Sequence, residues 1–263
     1  MSDNNTTNKN SLINVELPDF VNCAGENLTK QVTTNAGQTF GDIWFLVFGG
    51  ISQLAEKRKL KYAAELDRFR KELEEKIEQI PQEKRVEANM QTVGPALENS
   101  KYCMETEEIR QAFANLISRS LHQDYSKYIH PSFADMLKQM SPIDAQNLTI
   151  FKGQKSYPIC DIHYTKKGSQ GYSVIFNNLF LANTVQTNYD LQTQSISSLI
   201  RFGLVDIPEF SSLANQTLYD EFETNAMYLS MKMGIPEEVG TVTLKKKKID
   251  ITPLGEMFIK ACL

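Results

Sequence analysis

Between Tyr62 and Ile80 the apolar residues Tyr62, Leu66, Phe69, Leu73, Ile77 and Ile80 recur at steps of four, three, four, four and three within a highly charged stretch. That spacing lays one stripe along a helix, so it predicts an amphipathic helix with a wet outer face, ended by Pro81. Asp67 with Lys71 and Glu72 with Lys76 stand one turn apart with the acid first, the order that favours an exposed helix face. A second helical region is expected after Gly94 and Pro95. A third starts near Thr106, where Glu107 and Glu108 suit the positive end of the helix dipole and Ile109, Phe113, Leu116 and Ile117 supply an apolar face. His130 and Pro131 interrupt the pattern, and Ser132 is placed to cap a short helix running to Met140. Ser141, Pro142 and Asp144 then spell a capping box with proline in the first turn, a start signal strong enough to set a domain boundary near Ser141.

The pattern changes after Gly153. Pro158 to Thr165 and Tyr172 to Phe176 are rich in β-branched and aromatic residues and flank the loop Lys166 to Gly171, which predicts a hairpin. A helix from about Leu191 to Phe202 follows, stopped by Gly203, and then a short strand from Leu204 to Ile207. Another strand, Val242 to Ile251, leads through Thr252 and Pro253 into a last helix with Leu254, Phe258 and Ala261 on one side. Helix, hairpin, helix, strand, strand, helix is close to winged-helix order, with a long insertion from Pro208 to Gly240. The expected fold is therefore mainly α with a C-terminal α+β winged-helix-like module: a disordered tail over 1–11, a helical N-terminal domain over 12–140, and the winged-helix-like domain over 141–263.

The greasiest segment lies near the N-terminus. Between Gln31 and Ala55 the only charge is Asp42, and Phe40 to Ile51 includes Trp44, Phe45 and Phe48 before the basic residues Lys57, Arg58, Lys59 and Lys61. A lone spanning helix needs about 20 apolar residues, roughly twice what this run offers. A buried packing helix is the favoured reading. Aromatic residues beside a basic cluster make peripheral membrane or partner contact the functional alternative, carried by those same seven residues.

Composition narrows the setting more than the activity. An apolar share of 41 % over 263 residues is enough for an ordinary core. A net charge of −4, with both signs interleaved, gives no global field for nucleic acid or anionic lipid. Cys23, Cys103, Cys160 and Cys262 form no C-x-x-C pair, and Met1 to Asn10 lacks the apolar stretch of a secretory signal, so a reducing, cytoplasmic location is expected, with the inner membrane face as an alternative address.

Candidate chemistry is thin. His122, His130 and His163 are the only histidines, and none has the spacing of a metal site or a nucleophile's base. Cys160 and His163 make a single C-x-x-H, half of a closed zinc site, and no phosphate-cradling glycine string exists. No catalytic residue, cofactor or metal is expected. A winged helix could still read duplex DNA, with Gln192, Gln194, Ser195, Ser198 and Arg201 in the groove and Lys245, Lys246, Lys247 and Lys248 as a basic wing. Residues 141–263 carry 11 basic and 12 acidic side chains, a net charge of −1, which disfavours that use. The lysine run reads better as a solvated strand edge between Leu244 and Ile249.

Taken in order, the strings Gly41-Asp42-Ile43-Trp44 to Gly50, Gly94-Pro95-Ala96-Leu97-Glu98, His130-Pro131-Ser132-Phe133, Ser141-Pro142-Ile143-Asp144-Ala145 and Thr252-Pro253-Leu254-Gly255 to Cys262 resemble the abortive-infection alpha family, Abi-alpha. These are prokaryotic proteins proposed to act in phage resistance, and the resemblance runs over about residues 37–263. It implies a bacterial host and a defence in which infected cells stop growing or die before phage is released. It carries over no catalytic residue. The expectation is a non-enzymatic defence protein working through a protein partner, a phage trigger or a second copy of itself, with a winged-helix DNA-binding regulator as the alternative.

Overall fold

The computed structural model describes residues 43, 44, 46–48 and 56–263. The expected tail over 1–11 and Phe45 lie outside the described residues. Ile43, Trp44 and Leu46 to Phe48 are helical, and α1 (Glu56–Glu78) follows. Leu66, Phe69, Leu73 and Ile77 of the predicted stripe are buried along α1, and Ile80 is buried just beyond its end. On the outer face Asp67 holds Lys71 at 2.8 Å and Arg70 at 2.9 Å. Glu72 does not take the pairing expected with Lys76. It turns toward the next layer, where the buried Arg110 grips both of its oxygens at 2.9–3.1 Å and also donates to the Met104 carbonyl.

Helix α2 (Met90–Ser100) starts a turn earlier than Gly94-Pro95 suggested, because Asn89 caps it by accepting from Gln91 N at 2.9 Å. Pro95 sits inside the helix, and the carbonyl it leaves unbonded belongs to exposed Gln91, which water can satisfy. Helix α3 (Glu107–Ser120) is the hub, packing against α1, α2 and the later helices through Ile109, Phe113, Leu116 and Ile117. At α4 (Phe133–Gln139) the Ser132 hydroxyl makes no cap. His130 Nδ1 accepts from Ser132 N at 3.2 Å instead and lies 2.7 Å from its Oγ. The box ahead of α5 (Pro142–Ile150) is complete: Asp144 N donates to Ser141 Oγ at 3.2 Å, and Ser141 N to Asp144 Oδ2 at 2.7 Å.

The C-terminal half holds strands β1 (Ser156–Lys166), β2 (Ser173–Leu179), β3 (Val205–Asp206) and β4 (Gly240–Ile251) in the order β2-β1-β4-β3, antiparallel throughout. β1 and β4 pair over their full length, from Ser156 opposite Asp250 to Lys166 opposite Gly240. Helix α6 (Tyr189–Arg201) ends at Gly203, whose φ of 70° gives the left-handed turn that stops a helix at low cost. The insertion folds into a 3-10 turn (Gln216–Tyr219), α7 (Asp220–Glu223) and α8 (Ala226–Met233), and α9 (Pro253–Cys262) closes the chain.

Strand alternation sends the two sheet faces to different partners. Ile159 and Ile249 join Phe180 and the helices in one core that includes residues from Ile43 to Cys262. Cys160, Ile162 and Val242 on the other face are covered by Tyr219, Phe222 and Tyr228, all supplied by the 208–240 insertion. The insertion is thus a lid of apolar side chains over a face that would otherwise be wet. The fold is mostly helical with a small antiparallel sheet toward the C-terminus.

Candidate functional site

A cluster of buried and half-buried polar side chains lies on the sheet. Lys247, from β4, reaches Asp161 Oδ1 on β1 at 2.7 Å and Asn178 Oδ1 on β2 at 2.8 Å. Asp161 Oδ1 also accepts from Asn178 N at 2.8 Å, which holds Asn178 at a φ of 53° and fixes the irregular register of β2. His163, two residues on along the same face, is buried with Nε2 lacking a hydrogen-bond partner among the described residues, 3.9 Å from Asp161 Oδ2. The Tyr172 ring stacks over it at 4.1 Å. The arrangement can neutralise and orient charge across three strands.

These distances correct the solvated-edge reading of the lysine run. Lys245 is exposed, but Lys246 pairs with Glu223 at 3.0 Å, Lys247 is taken up as above, and Lys248 pairs with Asp250 at 2.6 Å. The side of β4 away from β1 is not open either: Lys248 N donates to the Ser211 carbonyl and the Tyr219 hydroxyl to the Lys247 carbonyl.

The five residues named on α6 do not form one surface. Gln192 is buried and its Nε2 donates to the Asn183 and Gln186 carbonyls. Ser195 is buried and accepts from Asn147 Nδ2 at 2.9 Å, while Asn183 Nδ2 donates to Asn147 Oδ1 at 2.7 Å. Gln194 is exposed, Ser198 is half-buried, and exposed Arg201 donates to Gln139 Oε1 at 3.2 Å. The Asn147, Asn183, Ser195 network joins α5 to α6 across 36 and 48 residues of chain, a separation that leaves no local signal in the sequence.

In the N-terminal apolar run, Trp44 and Phe48 are both fully buried, with ring centroids 4.4 Å apart, and the Trp44 ring stacks at 6.3 Å on Phe69 of α1. Leu46 is 78 % exposed. Lys57, Arg58, Lys59 and Lys61 lie on the backbone of α1, and their side chains are outside what the structure describes. Among the described residues no helix is long and apolar enough to cross a membrane.

Cys160 and His163 stand three residues apart on one strand, so they point to opposite faces. Cys160 lies in the core under the insertion, where burial pushes its thiol up to about 12, far from the thiolate a ligand or nucleophile needs. Burial also raises the Cys262 thiol well above its ordinary range. His122 Nδ1 accepts from Asp124 N at 3.1 Å and His130 serves Ser132, so both do local capping work. Among the described residues no three histidine, cysteine or acidic side chains gather as a metal site. A cleft of about 480 Å³ between α3, α5 and Ala182 to Val185 ends on the chain terminus, where Asn115 Nδ2 donates to the Cys262 carbonyl and Lys152 Nζ to Leu263 O, both at 2.9 Å.

No curated protein matches the chain. A solved structure of an uncharacterized protein from the hydrocarbon-degrading marine bacterium Alcanivorax borkumensis SK2 is similar at 14 % identity and a TM-score of 0.33, over 53 % of this chain and 94 % of that one. The pattern of one family, abortive infection alpha, matches residues 61–262, from the stripe of α1 to the last residue of α9. The chain belongs to the abortive infection alpha family.

Proposed function

We propose that this chain is a non-enzymatic, cytoplasmic defence protein of the abortive-infection type that acts through protein contacts. Membership of the family supports the defence role. The observation that carries the mode of action is where the polar side chains go. Lys246, Lys247 and Lys248 are spent on Glu223, Asp161 and Asp250, and His122 and His130 on turns, so these histidines and the lysine run that a duplex-binding wing would use already serve the fold. Duplex reading by α6 would be left with Gln194, Ser198 and Arg201, too few for the phosphate and base contacts that such binding rests on. Within this reading, residues 12–140 provide the effector surface and 141–263 a winged-helix-like scaffold. The order α5, β1, β2, α6, β3, β4, α9 supports that comparison, the insertion aside.

Phage plating on cells with and without the gene tests the defence role. Lower plating efficiency for some phages, with death or arrest of infected cells, is expected. Unchanged plating across a broad panel would overturn it.

A further inference from the structure

Six cations from both halves of the chain line or flank two clefts that meet through Arg119 and Lys260. A cleft of about 260 Å³ is lined by Lys76 and Arg119 together with His122 and Tyr125. A second, of about 450 Å³, is lined by Lys152, Lys155 and Lys260. Between them runs the 3-10 turn Gln123–Tyr128, where Tyr125 and Tyr128 meet edge to face at 6.5 Å. Arg119 lies 5.4 Å from the centre of the Tyr125 ring, and Lys127 and Lys260 lie 5.0 and 4.7 Å from that of Tyr128. Arg119 donates to the Lys260 carbonyl at 3.1 Å, which makes the two clefts one strip.

Part of this charge has a local reason. Arg119 and Lys152 serve the carbonyl end of α9, and Lys155 pairs with Glu256 at 2.7 Å. That pair is exposed and opens at small cost. Lys76, Lys127 and Lys260 stand in the last turns of their own helices, which the carbonyl ends favour, but none is held in an ion pair by an acid among the described residues, and the Asp124 carboxylate beside Lys127 is held by Lys84 at 2.6 Å. The positive charges of Lys127 and Lys260 beside the Tyr128 phenol lower it below its usual range.

We propose that this strip binds single-stranded nucleic acid, with the cations on phosphates and Tyr125 and Tyr128 against unpaired bases. Cationic grooves with interleaved aromatic rings are the general solution for strands whose base faces are free, and a duplex offers no such faces. A lipid surface fits less well, since none of the exposed large apolar side chains among the described residues belongs to either cleft, to the turn or to α9. The inference uses no part of the protein-contact reading and stands or falls separately from it.

Anisotropy of a labelled oligouridine of about 12 nucleotides, titrated with the full chain, is the test. The logarithm of the binding constant should fall linearly with that of salt between about 50 and 200 mM, and the double variant Lys127→Gln/Lys260→Gln should lower the slope by about 1.4. Tyr128→Leu should weaken binding about tenfold at each salt concentration with the slope unchanged. Lys232→Gln, on α8, should change neither. Circular dichroism melts check that each variant is folded, and the lysine pair decides the matter should Tyr128→Leu not fold. Three results would overturn the proposal: no binding at the lowest salt, a duplex of equal length bound as tightly, or phosphatidylserine vesicles bound in place of the oligonucleotide.

Discussion

Gly255 illustrates how one atom can be decided by a contact far away in the chain. It stands at the third position of α9, where its N–H donates to Thr252 Oγ1 at 3.0 Å, so the turn reads locally as an ordinary capped helix start. Its Cα, however, lies against Leu204, in the turn that leads from α6 into β3. A Cβ there would overlap the Leu204 carbonyl oxygen and come within 2.8 Å of Ile251 Cγ1. Backbone cannot give way as the tip of a long side chain can. Gly255→Ala should therefore destabilise the protein by about 2–3 kcal/mol, although alanine is the better helix former. Urea melts measure it, and a stability equal to or above that of the parent would contradict the packing.

At the scale of elements, what the sequence makes visible is whatever neighbours in the chain decide. The α1 stripe, the Ser141 box, the Gly203 stop and the β1-β2 hairpin all depend on residues within one turn or one loop, and all appear where expected. The lysine run shows where that visibility ends. Four lysines in a row look like a solvated edge, because the acid that takes Lys247 is Asp161, far back in the chain on β1, and the one that takes Lys246 is Glu223, in the 208–240 insertion. The cationic strip was hidden for the same reason: its six side chains come from Lys76 to Lys260, and the charge balance of either half alone conceals it. The pairing makes a contrast that can be measured. Lys247→Gln leaves Asp161 nearly buried without its cation and should cost about 2 kcal/mol, less than a fully buried pair because the Lys247 side chain keeps 19 % of its exposure. Lys245→Gln, on an exposed side chain, should stay within about 0.5 kcal/mol of the parent. Equal effects for the two would remove the distinction.

For the whole molecule, the question is whether Ser141 divides two units that fold separately. The capping box marks a helix start, but the core does not stop there: Phe258 of α9 packs edge to face on Phe133 of α4 at 5.0 Å, Asn115 of α3 holds the Cys262 carbonyl, and Arg119 the Lys260 carbonyl. The last helix of the chain is thus seated among helices from its first half, and removing either half strips apolar surface from the other. We expect one cooperative thermal transition, with calorimetric and van't Hoff enthalpies that agree. A fragment of residues 141–263 alone should expose Phe258 and lack a sharp transition. The dependence on pH follows from the same burial. The Cys160 and Cys262 thiols and the Tyr62 phenol are raised by leaving water, so their neutral forms belong to the folded state. A group whose folded value lies above its unfolded one gives its full stability below the unfolded value and loses it as pH rises. The transition should therefore move to lower temperature as pH climbs past the ordinary thiol value of 9.0 and then the phenol value of 10.0, and it should move as a single transition. Two resolved transitions, with only one of them sensitive to alkali, would mean that the contacts of α9 with α3 and α4 do not couple the halves and that Ser141 is a true domain boundary.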